Sequence, residues 1–193
     1  MTNFFVIFLC YIMGSIPFGL ILSYFFKKED PRMMGSKNIG ATNILRVNGW
    51  KLGSLTLILD ILKAFIPVKL CSVFKPELIP LVSVLIFFGH LFPVWLRFKG
   101  GKGIAVFIGI LFGISNTLGL IFLISWLFIA LIFKYSSLAA IISSVLVYCF
   151  VLLKNYDSLN FLILFLNIMI FYKHKDNISR ILKNTESKIK FKK

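Results

Sequence analysis

The sequence is poor in acidic residues, histidine and cysteine, and these shortages exclude several kinds of site. Its 193 residues include 7 Asp and Glu, 2 His and 3 Cys. The acidic and histidine residues form no cluster with metal-ligand spacing, so neither a metal nor another cofactor is expected. Cys10, Cys71 and Cys149 lie in or at the ends of apolar runs, where they resemble small hydrophobic residues rather than a disulfide framework.

Several common catalytic and nucleotide-binding motifs are also missing. There is no Gly-x-Ser-x-Gly nucleophile elbow. Trp95 and Ser179 stand five residues after the two histidines, so there is no His-x4-Asp dyad either. The glycine-rich stretch around Gly101 is not a Walker A loop, because Leu96 occupies the place of the first glycine and no Ser or Thr follows Lys102.

Hydrophobic residues are abundant and indicate a membrane protein. They make up 59% of the chain, and the mean hydropathy is +0.91, far above that of a soluble domain. The 22 Lys and Arg residues could suggest nucleic-acid binding. They stand mostly between apolar runs and at the C-terminus, as the positive-inside rule requires, so no nucleic-acid partner is expected.

The apolar runs predict an all-α bundle of seven transmembrane helices in a single domain, residues 1–193. The predicted spans are Asn3–Phe26, Leu52–Phe74, Leu78–Leu96, two crossings within Ile104–Phe133, Leu138–Leu153 and Ser158–Tyr172. Small residues and a proline in Gly14–Gly19 predict a kink in the first span.

Charge decides how the thirty-residue run Ile104–Phe133 is divided. At about 1.5 Å per residue it is long for one crossing of a ~30 Å core and short for two. A single crossing would place the tail Lys173–Lys193, with eight cations, outside. A turn at Ser115–Thr117 instead puts the N-terminus outside and the C-terminus in the cytoplasm, with 18 of the 22 cations inside.

Two of the predicted cytoplasmic segments combine glycine with cations, a mixture suited to binding phosphate. The first runs from Asp30 to Asn43 and closes on Arg46, and it also offers hydroxyl and amide groups. The second is the glycine-rich turn Arg97–Gly103, which opens into a helix. The alternatives are an ordinary polar loop for the first and a tight membrane turn for the second.

Two further cytoplasmic segments carry weaker signals. Lys134–Ser137 adds hydroxyls, and His174–Arg180, followed by Thr185 and Glu186, adds a histidine and an asparagine on one helical face. Within the membrane, Asp60 and Lys63 are three residues apart, and pairing would neutralise both. We expect these two residues and His90 to be structural or supporting.

Six ordered motifs make the chain resemble the bacterial acyl-phosphate:glycerol-3-phosphate acyltransferases, which are integral membrane enzymes. The motifs are Gly14–Gly19, Gly35–Asn43, Gly89–Pro93, Phe98–Gly103, Tyr135–Ser137 and Asn177–Arg180. Lys37 and Asn184 stand where the family usually has a small residue and a glycine. The resemblance implies seven spans and a cytoplasmic active site in the bacterial cytoplasmic (inner) membrane.

The resemblance also implies the reaction. A fatty acyl group passes from acyl phosphate to the primary hydroxyl of sn-glycerol 3-phosphate, giving lysophosphatidate and inorganic phosphate in the first acylation of phospholipid synthesis. The expected partners are these two substrates and membrane lipid. The candidate catalytic residues are Ser36, Lys102, His174 and Asn177. The candidate phosphate-binding residues are Arg46, Gly35, Asn38, Thr42, Asn43, Lys99, Gly100, Gly101, Gly103, Ser137 and Arg180.

The absence of a His-x4-Asp dyad and of a nucleophile elbow favours direct attack by the bound hydroxyl. No base follows Ser36 at a telling spacing, so we expect Ser36 to bind substrate rather than to form an acyl-enzyme. The proton then goes to His174 or to a substrate phosphate oxygen, and the sequence leaves both possibilities open. A transporter for a phosphorylated metabolite is the alternative function, but it would need inverted repeats or a polar path through the bilayer.

Overall fold

The computed structural model describes residues 2–189, and the side chains from residue 7 onward. Within these residues the secondary structure is helical and contains no β-strand. The helices are α1 (Thr2–Ser15), α2 (Phe18–Phe25), α3 (Ala41–Asn48), α4 (Trp50–Phe74), α5 (Ile79–Leu91), α6 (Ile104–Ile114), α7 (Asn116–Phe133), α8 (Ser136–Leu153), α9 (Asp157–Lys173) and α10 (Lys175–Leu182). Two short 3₁₀ turns, Pro76–Leu78 and Val94–Leu96, flank α5.

The first predicted span is broken into two helices. The α1 and α2 helices are bent by 47° at Ile16 and Pro17, because proline has no N–H to continue the helical ladder. The kink predicted from Gly14–Gly19 is therefore confirmed as a break.

The long α4 helix packs most closely against α6. Gly109 and Gly113 on α6 face it, and a Cβ at Gly109 would collide with the Ile61 carbonyl, while one at Gly113 would press on Val68. Small residues at such crossings let helix backbones approach closely, as is usual between membrane helices. This crossing fixes the start of α6, which follows the glycine-rich turn.

The chain divides into two compact units between Ile114 and Ser115. The first contains α1–α6 and the second α7–α10. In the second unit α8 packs against α7, α9 and α10. The segment after α10 folds back, and the Ile189 N–H donates to the Lys134 carbonyl at 2.7 Å.

Most predicted spans match observed helices to within a few residues. The last two, α8 and α9, each begin one or two residues earlier than predicted. The run Ile104–Phe133 is interrupted at Ser115, inside the predicted turn. The third span differs, since α5 stops at Leu91 before Pro93, and α3 was not predicted. Lys190, Lys192 and Lys193 of the predicted cytoplasmic tail lie outside the described residues.

Within residues 2–189, three continuous helical stretches are long and apolar enough to cross a membrane, or four if α1 and α2 form one bent span. They are Pro76–Leu96, α7 and α8. The α4 helix has the length, with 25 residues, but carries Asp60, Lys63 and Lys69, which lower its hydropathy. Helical architecture is thus observed, and seven crossings remain a prediction.

Candidate active site

The loop between α2 and α3 is organised around Asn43. This side chain is 2% exposed and accepts a hydrogen bond from the Ser36 N–H at 2.8 Å through Oδ1. Its Nδ2 donates to the carbonyls of Pro31, Met34 and Asn38 at 2.8, 3.1 and 2.8 Å. The Asn43 amide therefore holds the loop that carries Ser36, and its assignment to a substrate phosphate stays a prediction.

Two residues beside Ser36 have left-handed backbone conformations. Gly35 has φ of 63° and Lys37 has φ of 57°, and a Cβ at Gly35 would collide with Oδ1 of Asn43. Asn38 turns the chain further by accepting the Gly40 N–H at 2.9 Å. The two turns at Gly35 and Asn38 fix the backbone on either side of Ser36.

The remaining phosphate candidates of this loop are more accessible. Ser36 is half-buried, and Thr42 and Arg46 are exposed on α3, with Thr42 in its first turn and Arg46 in its last. Both α3 residues also make interactions within the protein. The loop thus presents the Ser36 hydroxyl, and α3 presents the Thr42 hydroxyl and the Arg46 guanidinium.

In the glycine-rich turn, two glycine amides are already bonded to the protein. The Gly100 N–H donates to the Leu91 carbonyl at 3.2 Å, and the Gly101 N–H donates to the His90 carbonyl at 3.1 Å. These bonds satisfy carbonyls at the C-terminal end of α5. The turn therefore caps α5, and the assignment of Gly100 and Gly101 to a substrate phosphate stays a prediction.

The end of the turn leads into α6 and keeps features suited to an anion. Gly103 has φ of 87°, and its carbonyl accepts the Phe107 N–H at 2.7 Å, which starts the helix. The N–H groups in the first turn of a helix lack intrahelical acceptors and favour anions. Half-buried Lys102 directly precedes this helix start, whereas Lys99 is exposed.

A buried polar cluster lies below this turn. Lys63 forms an ion pair with Asp60 Oδ1 at 2.8 Å. Its ammonium also donates to the Ile16 carbonyl at 2.8 Å and lies 3.1 Å from Nδ1 of His90. Asp60, Lys63 and His90 are 2%, 5% and 5% exposed. The predicted Asp60–Lys63 pair is present, and His90 joins it.

In the second unit, Glu186 gathers three predicted site residues around one carboxylate. Ser137 Oγ and Asn177 Nδ2 each donate to Oε1 at 2.6 Å, and Arg180 Nε donates to Oε2 at 2.7 Å. Burial raises the pKa of Glu186, but the hydrogen bonds from Ser137, Asn177 and Arg180 outweigh it and leave the pKa below its ordinary value. Glu186 is therefore held as an anion.

Two predicted phosphate ligands, Ser137 and Arg180, already donate hydrogen bonds to this carboxylate. Ser137 has one hydroxyl hydrogen, and it donates that hydrogen bond to Glu186. In this arrangement Ser137 has no hydrogen left to donate to a phosphate. Arg180 uses Nε for Glu186, while its other guanidinium nitrogens remain at a side chain that is 38% exposed. The assignments of Ser137 and Arg180 to a substrate phosphate both stay predictions.

His174 and Asn177 lie at the junction of α9 and α10 and are almost fully buried. Nδ1 of His174 is 2.8 Å from the Ile170 carbonyl. A carbonyl can only accept, so Nδ1 carries a proton and the lone pair of a neutral ring is on Nε2. Asn177 Oδ1 is buried without a hydrogen-bond partner among the described residues.

Sequence reasoning missed Glu186 as a site residue. It is the one acidic residue after Asp176, in a segment dominated by cations, and that contrast was the available signal. Its partner Ser137 is 49 residues away in sequence, so no local pattern could have paired them.

Comparison with known proteins covers almost the entire chain. The family model described as glycerol-3-phosphate acyltransferase matches residues 4–184. A glycerol-3-phosphate acyltransferase of Pelagibacter ubique is 48% identical over 181 residues, covering 93% of this chain and 94% of the relative. One from Francisella tularensis is 41% identical over 189 residues, covering 97% and 93%.

Two solved structures have the same fold. Crystal structures of PlsY, an integral membrane glycerol 3-phosphate acyltransferase, match in a glycerol 3-phosphate form and a lysophosphatidic acid form. The first has a TM-score of 0.93 at 33% identity, covering 98% of this chain and 96% of PlsY. The second has a TM-score of 0.90 at 32% identity with the same coverage. With a family model and full-length relatives in agreement, this chain belongs to the glycerol-3-phosphate acyltransferase family.

Proposed function

We propose that this protein transfers a fatty acyl group from acyl phosphate to the primary hydroxyl of sn-glycerol 3-phosphate. The observation that carries the proposal is the full-length match to PlsY, whose two crystal forms are named for glycerol 3-phosphate and for lysophosphatidic acid. Lysophosphatidic acid is what acylation of glycerol 3-phosphate yields. The acyl phosphate donor is inferred from the resemblance of the motifs to the acyl-phosphate-dependent family. Two predicted anion-binding segments suit a reaction between two substrates that each carry a phosphate.

The first unit supplies groups for phosphate. The Ser36 hydroxyl and the Arg46 guanidinium stand on the loop and helix held by Asn43. Lys102 stands at the start of α6, where a cation and a helix N-terminus act on the same anion. Charge-assisted hydrogen bonds of this kind are the strong ones.

The second unit, taken by itself, carries groups that suit a hydroxyl. Asn177 is fixed through Nδ2 by Glu186, so its buried Oδ1 is aimed and can accept the substrate O–H. An acceptor buried without a partner costs about 1–3 kcal/mol, and a substrate hydroxyl would recover that cost. His174 has its basic nitrogen on Nε2 and can take a proton.

The reaction then proceeds in one displacement without an acyl-enzyme. The primary hydroxyl oxygen attacks the carbonyl carbon of acyl phosphate, and the bond from that carbon to the phosphate oxygen breaks. The hydroxyl proton goes to Nε2 of His174 or to a substrate phosphate oxygen, and inorganic phosphate leaves. Within the first unit, Lys102 offers a positive charge of the kind that stabilises negative charge developing in a transition state.

The membrane arrangement belongs to the same proposal. Seven crossings, with the N-terminus outside and the C-terminus in the cytoplasm, place the reaction on the cytoplasmic face of the bacterial inner membrane. The helix break at Ser115 supports this arrangement, because it divides the thirty-residue run where the charge pattern requires a turn. The shorter helices are accommodated by packing in the bundle or by a thinner bilayer.

A purified-protein assay with acyl phosphate and glycerol 3-phosphate tests the reaction directly. Lys102→Ala and Arg46→Ala should each lose about 2–4 kcal/mol of transition-state stabilisation, the range for removing one charged donor. Lys154→Ala, an exposed cation outside the proposed site, is the control and should keep native turnover. Near-native turnover by both site variants would contradict the assignment of these cations to phosphate.

A further inference from the structure

The cluster formed by Asp60, Lys63 and His90 has more contacts than charge neutralisation requires. Pairing with Asp60 alone would neutralise the Lys63 ammonium. Lys63 also donates to the Ile16 carbonyl at the break between α1 and α2, and Nδ1 of His90 lies 3.1 Å from Nζ. Its ammonium lies 5.6 Å from the centre of the Phe18 ring on α2. One ammonium therefore joins α4 to the α1–α2 break and to the end of α5.

Stability alone does not explain such a cluster. The desolvation of two buried charges roughly cancels their attraction, and apolar side chains of similar volume often serve as well or better. Buried polar contacts between elements can, however, specify one arrangement of the elements that they join. We therefore consider which elements the cluster holds in place: the α1–α2 break, α4 and the end of α5.

His90 connects this cluster to the glycine-rich turn through two contacts on Gly101. The His90 carbonyl accepts the Gly101 N–H at 3.1 Å. The imidazole lies directly against Gly101, and a Cβ there would collide with its Nε2 and Cε1 atoms. Lys102 is the next residue, so the backbone position of Lys102 depends on where His90 stands.

The ammonium of Lys63 also fixes the state of the His90 ring. An ammonium has only protons to give, so Nδ1 accepts and the proton of a neutral ring lies on Nε2. Nε2 is the atom that faces Gly101. The hydrogen bond from Lys63 thus sets the rotation of the His90 ring. It also places the ring proton on Nε2, the atom that faces Gly101.

We propose that Asp60, Lys63 and His90 are positioning residues that hold the glycine-rich turn, and with it Lys102, in the geometry that binds a substrate phosphate. This inference rests on the proposed function of Lys102. It predicts that a change in the cluster alters the KM for one phosphate substrate and not for the other, because the second substrate is proposed to bind at the other anion-binding segment. A displacement of about 1 Å at a binding group can change a rate by about 10²-fold, so a small shift of the turn is measurable.

The test is the double variant Asp60→Asn with Lys63→Met. Removing both charges together avoids an unpaired buried ion, which is what makes single replacements strongly destabilising. We expect the thermal unfolding midpoint to stay near native and the KM for one substrate to rise by about tenfold or more, with the KM for the other nearly unchanged. Lys69→Met makes the same chemical change at an exposed position of α4 and should leave both KM values unchanged.

Two His90 variants give a second measurement that does not depend on the double variant folding. His90→Asn keeps an acceptor near the place of Nδ1, whereas His90→Leu removes it and leaves the Asp60–Lys63 pair intact. Positioning predicts that the KM for the same substrate rises more in His90→Leu than in His90→Asn. Unchanged KM values for both substrates in either the double variant or His90→Leu, with or without loss of stability, would overturn the proposal.

Lys102→Ala separates this proposal from the proposed function. If Lys102→Ala impairs turnover while the cluster variants leave both KM values native, the positioning inference alone is wrong. If Lys102→Ala has native kinetics, the phosphate role of the turn itself is wrong.

Discussion

At the scale of single residues, one carboxylate organises the candidate hydroxyl-binding groups. Glu186 lies in the segment after the last helix. Its carboxylate accepts hydrogen bonds from Ser137, Asn177 and Arg180. Asn177 can offer Oδ1 to a substrate because its Nδ2 is held by this carboxylate. Glu186 thus acts through Asn177, with no contact to the reacting atoms required of it.

Glu186→Gln should reduce stability at neutral pH and change its acid dependence. The hydrogen bonds to a charged acceptor that it weakens are worth about 1.5–3 kcal/mol each. Because the pKa of Glu186 is lowered in the folded state, its stabilisation is complete above the ordinary value of 4.5 and is lost as pH falls through the folded pKa. Unfolding midpoints of the native chain should therefore approach those of Glu186→Gln below about pH 4.5.

The control for this measurement is Glu77→Gln, an exposed residue in the Pro76–Leu78 turn. It should follow the native pH curve throughout. Parallel curves for Glu186→Gln and the native chain from neutral to acid pH would show that the carboxylate contributes nothing as an anion.

At the scale of structural elements, the Ser36 loop is held by the Asn43 amide as well as by its own turns at Gly35 and Asn38. Lys37 takes a left-handed conformation that costs a non-glycine residue about 1–2 kcal/mol. The loop keeps this conformation because Asn43 bonds it at four backbone groups. The element that presents Ser36 is thus held from the first turns of α3.

Asn43→Asp should open this loop while leaving the helices in place. A carboxylate oxygen would replace Nδ2 and face the carbonyls of Pro31, Met34 and Asn38, with no proton to share between them. We expect kcat/KM to fall by about tenfold or more, since each unsatisfied buried group costs about 1–3 kcal/mol locally. The helical circular dichroism signal should remain native.

Asn155→Asp makes the same substitution at an exposed turn and serves as the matched control. Native activity of Asn43→Asp in detergent would show that the order of the loop is not needed for turnover.

At the scale of the whole molecule, two independent features coincide near Ser115. The chain divides into its two compact units there, and the charge pattern requires a turn there if the cations of the tail are to lie inside. Whether the C-terminal tail lies inside or outside the cell therefore depends on whether the chain turns back across the membrane at Ser115.

Single cysteines test the topology, placed in a variant lacking Cys10, Cys71 and Cys149. A cysteine at exposed Asn116 should react with an impermeant thiol reagent added to intact cells, and one at Lys154 should react as well. A cysteine at exposed Ser187 should react only after the cells are opened. Labelling of position 187 from outside would reverse the predicted orientation of the tail and remove its segment from the cytoplasmic face.

Much of the architecture could be predicted from the sequence because it depends on local patterns. Long apolar runs require helices in a membrane, since every backbone group must be satisfied within the segment. The limits of α8 and α9, the kink at Pro17 and the break at Ser115 follow from such runs and from proline and charge. Ordered motifs also identified the family and its reaction.

The tertiary structure alone decided which polar groups are already occupied. The sequence supplied the chemistry of Ser137, Asn43 and the glycine amides, and all could bind a phosphate in principle. The partner of Ser137 is Glu186, 49 residues away, and Lys63 and His90 are 27 residues apart. Asn43 has partners 5 to 12 residues away, but only the folded loop brings them to its amide. A hydrogen bond uses up a donor only when folding brings an acceptor within about 3 Å of it. Local sequence does not encode that proximity, so the chain determined which groups exist and the fold determined which remain for a substrate.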